Sequence, residues 1–135
     1  MGSMRPVGAI RYNRCPITSP RKKENLTMAE TRWYHYVAYF FGGAFLTNFV
    51  PHFVAGVMGS PFQTPFASPP GQGLSSSLVN VLWAVFNLFV AYLLLCRTGK
   101  FDLRQIKHAV PFGLGLLVMA IMLARTFGRL HGGAL

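Results

Sequence analysis

Asn48, His52, Asn80 and Asn87 are the side chains in this sequence that could do chemistry within otherwise apolar surroundings. An imidazole can carry a proton or hold a ligand near neutral pH. A carboxamide donates and accepts hydrogen bonds at once. His52 follows Asn48 by four residues, which puts both on one face of a helix. Asn80, Ala84, Asn87 and Ala91 recur at i, i+4, i+7 and i+11, a single narrow face that is small and polar. Two readings stand open if these groups meet, and a third is that they never do. In one, these groups form interhelical hydrogen bonds that fix how two helices pair, at about 0.6 kcal/mol each. In the other they line a pocket in which His52 is a proton carrier or ligand. A haem or metal site is disfavoured, because no second His, Cys or carboxylate accompanies His52. The sequence therefore predicts no cofactor and no metal.

Enzymatic chemistry has little else to stand on. The acidic residues are Glu24, Glu30 and Asp102, all in polar segments, so paired-carboxylate catalysis has no basis. No serine sits in a GxSxG context and no glycine-rich loop suits a phosphate. The apolar blocks hold no carboxylate of the kind a proton-coupled transporter usually needs. The expectation is a protein that is not an enzyme.

The elements that must position these residues follow from composition. A chain of 135 residues allows one domain. It is 52% hydrophobic and 12% charged, against roughly 25% charged in soluble domains. The apolar residues gather into three blocks, 37–58, 78–96 and 109–124, and a helical span needs roughly 20. The third block reaches that length only with His108 and Arg125 at the interfaces, the arginine snorkelling. The predicted fold is all-α and integral to a membrane, with three transmembrane helices over about 34–57, 77–97 and 107–126. These make a membrane domain over residues 33–126, with a short C-terminal tail over 127–135. Residues 1–32 form a basic tail without helical or strand periodicity, expected to be disordered. Met28 opens a short polar start that leads into the first span, so residues 1–27 read as an upstream extension.

The formal charge of +10 is arranged as a topology signal and not as a nucleic-acid surface. Arg5, Arg11, Arg14, Arg21, Lys22, Lys23 and Arg32 precede the first span, and Arg97, Lys100, Arg104 and Lys107 follow the second. The connector between the first two spans has no charged residue. Basic residues in short loops stay on the cytoplasmic side, so the N-terminus is predicted cytoplasmic and the C-terminus outside. The lipid bilayer is the predicted partner, without nucleic acid. Cys15 and Cys96 then face a reducing compartment, where a structural disulfide is not expected.

Within this frame, Trp33, Tyr34, Tyr36 and Tyr39 read as an interfacial aromatic belt, with His35 among them. Ala38, Gly42, Gly43 and Thr47 form two small-xxx-small pairs, a helix-packing face toward this chain or a second copy; Ala84 and Ala91 extend it on the second span. Pro51 is expected to kink or end the first helix near Phe49. Residues 52–58 would then lean along the interface, and the connector over 59–73 would be a stiff interfacial loop. Ser75, Ser76 and Ser77 supply N-cap chemistry, and Gly99 is placed as a C-cap. Asn48 lies roughly 22 Å along the helix from Trp33, a depth between those of Asn80 and Asn87 counted from the opposite end. One outer-half cluster of Asn48, His52, Asn80 and Asn87, roofed by the Phe/Pro loop, is predicted.

The segment NFVPHFVAGVMGSPFQTPFASPPGQGLSSSLVNVLW resembles a group of small, uncharacterised bacterial integral membrane proteins, through a PHFxxGxxGxPFxTPF-type pattern. The resemblance covers residues 33–97. It implies a multi-pass location in the plasma membrane or bacterial inner membrane and brings no activity with it. The expected role is a packing or accessory subunit acting through helix–helix contacts, in a homo-oligomer or a larger membrane complex. The alternative is a homo-oligomeric channel or small-molecule carrier that uses the Asn/His cluster.

Overall fold

The computed structural model describes residues 31–133; the expectations for residues 1–30, including Cys15 and a start at Met28, lie outside them. Helix α1 spans Trp33–Val57. Helix α2 spans Ser77–Tyr92 and runs on through a wider, π-helical turn at Leu93–Arg97. Helix α3 spans Ile106–Leu130. All three are long and apolar enough to cross a membrane. Between α1 and α2, strands β1 (Phe62–Gln63) and β2 (Leu74–Ser75) form a short antiparallel ladder, with Phe62 opposite Ser75 and Gln63 opposite Leu74. Ser76 caps α2, its hydroxyl accepting from the Val79 amide at 3.4 Å.

Helix α1 is the middle of the structure. It packs along both α2 and α3, which barely touch one another. The seams are made of small residues, as close approach of helix backbones requires. Ala38, Ala44, Ala84 and Ala91 are buried. The expected packing face divides in two, and its partners lie in the same chain. Gly42 sits under Leu95, where a Cβ would come within 2.6 Å of the leucine Cδ2. Gly43 instead meets the Phe112 carbonyl of α3, and Gly115 of α3 meets the Phe40 carbonyl of α1. Thr47 joins this second seam, its hydroxyl within 3.1 Å of the Gly43 carbonyl and 3.4 Å of the Leu116 carbonyl.

Three local expectations need correction. Of the two outcomes expected at Pro51, the helix does not end near Phe49: α1 runs on to Val57, the expected end of the first span. A proline removes only one amide donor, and hydrogen bonds from Asn48 and His52 hold the helix against α2 on either side of it. Helix α3 outruns its expected end at residue 126, taking up residues 127–130 of the expected tail. There Phe127 packs on Phe62 at 4.6 Å between centroids, and His131 Nδ1 donates to the Phe127 carbonyl at 2.9 Å. Gly99 is no left-handed cap, since the positive-φ glycines are Gly59, Gly71 and Gly132. It is small because the Tyr39 hydroxyl lies 2.8 Å from where its Cβ would be.

Tyr39 also departs from the aromatic belt. Trp33 is exposed, but Tyr39 is fully buried, its ring against Phe101 at 4.9 Å and His108 at 5.0 Å. His108 is likewise buried. Its Nδ1 accepts the Asp102 amide at 3.2 Å, and its Nε2 lies 3.3 Å from the Thr31 hydroxyl. This knot ties the α2–α3 connector to the start of α1.

Candidate functional site: a polar seam and the cavity above it

Asn48, His52, Asn80 and Asn87 come together between α1 and α2, in two pairs. Asn48 Nδ2 donates to Asn87 Oδ1 at 2.9 Å. Asn87 returns its own Nδ2 to the Trp83 carbonyl at 2.7 Å, one turn back along α2. His52 Nδ1 lies 3.0 Å from Asn80 Oδ1. Asn80 and Asn87 are fully buried and His52 is 3% exposed. The spacing that places Asn80, Ala84, Asn87 and Ala91 on one face also makes them the buried face of α2.

Asn80 is the hub. Its Nδ2 lies within 3.2 Å of three carbonyl oxygens, those of Phe62, Ser75 and Ser76. That orients the amide, because carbonyl oxygens only accept and the NH₂, with two hydrogens shared among the three, is the one donor of this side chain. Oδ1 therefore faces His52, and Nδ1 of the imidazole must carry the hydrogen it donates. In the neutral ring Nε2 is then a lone pair. His52 is thus fixed in one tautomer by a residue that also anchors the loop through Phe62.

Over this seam the loop overhangs an open cavity of about 400 Å³. Asn48, His52, Gln63, Thr64, Trp83 and Phe127 line it, and none of its lining residues is Asp, Glu, Lys or Arg. Gln63 and Thr64 are buried within the connector, and the Thr64 hydroxyl bonds to that of Ser75. Phe62 turns inward onto His52, 5.5 Å between centroids, while Phe66 stays exposed and stands edge-on to Trp83 at 5.1 Å. The loop is therefore folded down onto the helices through one of its phenylalanines.

Two buried polar atoms of this cavity have no hydrogen-bond partner, Gln63 Oε1 and Trp83 Nε1. The orientation of the glutamine amide follows from its neighbour. His131 donates through Nδ1 to the Phe127 carbonyl, so its Nε2 is an acceptor, and Gln63 presents Nε2 to it at 3.4 Å. That leaves Oε1 unpaired. Each unsatisfied buried group costs about 1–3 kcal/mol, so a lone donor and a lone acceptor in one cavity call for an occupant. A second, apolar groove of about 730 Å³ runs between α1 and α3, lined among others by Leu46, Val50, Leu123 and Phe127. Phe127 lines both spaces.

The sequence placed the four polar residues but missed Gln63, Thr64 and Trp83 as lining groups. Their one available signal was polar residues inside an uncharged, proline-rich connector. Among the described residues no group of three or more His, Cys, Asp or Glu is placed to hold a metal ion. Cys96 is exposed and distant in sequence from these residues. Comparison with protein-family models, curated proteins and solved structures finds no match to this chain.

Proposed function

We propose that the protein is a multi-pass component of the plasma membrane or a bacterial inner membrane, with a cytoplasmic N-terminus and its Pro/Phe loop outside. On this reading it is not an enzyme; it acts as an accessory subunit through helix–helix contacts with a partner. The observation that carries the reading is the open, three-helix layer. With α1 in the middle, α2 and α3 each leave a broad apolar face uncovered. Only 6% of the most apolar stretch of α3 is buried, and Leu117, Ile121 and Met122 on it are exposed, as are Leu82, Phe86 and Phe89 on α2. The polar side chains of the seam pair across α1 and α2, and Asn80 and Asn87 also bond to backbone carbonyls, which suits a role in fixing the helix pair.

Photo-crosslinking groups at Leu117 and Phe86, activated in native membranes, test this. A crosslink to a different membrane protein supports the accessory role; products containing only this chain, or only lipid, overturn it. Ala38, Gly42 and Asn87 serve poorly as probe sites, since they are enclosed within one chain. A homo-oligomeric channel or carrier is the second reading, favoured by the unpaired atoms of the cavity. It requires self-crosslinks together with flux that depends on His52.

A further inference from the structure

We infer that the cavity beneath the loop holds the head group of an uncharged, hydroxyl-bearing lipid of the monoacylglycerol type, with its tail in the groove between α1 and α3. Trp83 Nε1 offers a donor and Gln63 Oε1 an acceptor, both buried and unpaired. His52, oriented by Asn80, adds an acceptor lone pair at Nε2, for which no partner appears among the described residues. A hydroxyl both accepts, as an indole N–H requires, and donates, as a carboxamide oxygen requires. A glycerol monoester carries two hydroxyls, enough donors for the imidazole as well as the carboxamide.

Charge selects among head groups. A phosphate or carboxylate entering this space would find no lysine or arginine in the lining, and an ammonium would find no carboxylate. Burying an unpaired charge is far more costly than burying a hydrogen-bonded hydroxyl. The apolar groove supplies the second half of an amphiphile's site: Leu46, Val50 and Leu123 line it, and Phe127 belongs to both spaces. A lone water could satisfy the polar atoms but would make no use of the groove.

The inference rests on the bilayer reading and not on the accessory role. Trp33 and Trp83 are the two tryptophans of the chain, and Trp33 is exposed at the opposite end of α1. A Trp33→Phe protein, reconstituted into phosphatidylcholine nanodiscs, therefore reports on the cavity through Trp83 alone. Brominated monoacylglycerol should quench it saturably at low mole fraction. Gln63→Met, which loses one hydrogen bond to the ligand, should raise the half-saturating fraction about tenfold. Thr126→Phe should do likewise by filling the cavity mouth; Thr126 is exposed, so this variant keeps the test valid if Gln63→Met misfolds. Brominated phosphatidylcholine or fatty acid should quench only in proportion to its abundance. Saturable quenching by either, or proportional quenching by monoacylglycerol that is equal in all variants, as expected for water or bulk lipid, overturns the assignment. A chain found outside the discs by size exclusion overturns the bilayer reading itself.

Discussion

Replacing Asn80 probes the seam most directly, because one side chain serves both the helix pair and the loop. Asn80→Leu keeps the branched heavy-atom skeleton in a larger side chain, so no truncation cavity is left behind. It removes the acceptor 3.0 Å from His52 Nδ1 and the donor 3.1 Å from the Phe62 carbonyl. His52 is 3% exposed, so its stranded N–H should cost about 1–3 kcal/mol. Interhelical hydrogen bonds in membrane proteins average about 0.6 kcal/mol and reach about 1.7, because the unfolded chain finds other partners. Adding the loop tether, Asn80→Leu should lose about 2–3 kcal/mol. His52→Phe keeps a ring against Phe62 and should lose about 1–2 kcal/mol. The double variant should fall short of additivity by about 0.6–1.7 kcal/mol. Titration from dodecyl maltoside micelles into dodecyl sulfate, followed by far-ultraviolet circular dichroism, gives all four stabilities. A coupling below about 0.3 kcal/mol, the scatter of independent sites, would refute the pairing.

The glycine seam yields a paired comparison: Gly115→Val drives a side chain into the Phe40 backbone and should cost at least about 2 kcal/mol, whereas Gly113→Val, with nothing within 4 Å of its Cβ position, should be nearly neutral by the same titration. Equal effects at the two sites would rule out the close α1–α3 contact. For topology, with Cys15→Ser as background, a membrane-impermeant maleimide applied to intact cells should label Gln72→Cys and spare Cys96 until the cells are opened; the reverse pattern would invert the proposed orientation. Asp102, in the α2–α3 connector, accepts the Arg104 backbone N–H at 2.9 Å. That hydrogen bond, ahead of smaller contributions from the Gln105 amide and neighbouring positive charge, holds its pKa below the ordinary carboxylate value. Because the folded-state value is depressed, the stabilisation is complete above about pH 3.9 and disappears as pH falls through the folded value. The Arg104 amide nitrogen shift should titrate with a midpoint below that pH, and Asp102→Asn should abolish the titration; a midpoint at or above it contradicts the geometry.

What the sequence made legible is what one-dimensional patterns encode. Block length set the three helices, since apolar run and rise per residue together give a span. Period set the Asn80–Ala84–Asn87–Ala91 face, and counting residues from each end placed Asn48 at a depth between Asn80 and Asn87. The loop resisted this treatment. Proline and glycine say that a chain turns, not what it turns onto, so the inward packing of Phe62 and the burial of Gln63 and Thr64 depend on α1 and α3 together. Tyr39 and His108 resisted for the same reason: an aromatic at a helix end reads as interfacial until Phe101, remote in sequence from Tyr39, covers it. Pro51 left a kink and a helix end as alternatives, and the tertiary hydrogen bonds on either side of it are not visible in the sequence.

The central position of α1 bears on how such a chain is assembled. Of the three helices it is the least apolar and the most enclosed by its neighbours, and it carries Asn48 and His52. On the bilayer reading it is also the first to leave the ribosome. A nascent α1 would enter lipid with two carboxamide- and imidazole-bearing turns unsatisfied, and with glycine flanks bare on both sides. Its residence there would be provisional until Ser77–Arg97 arrived with the matching asparagines.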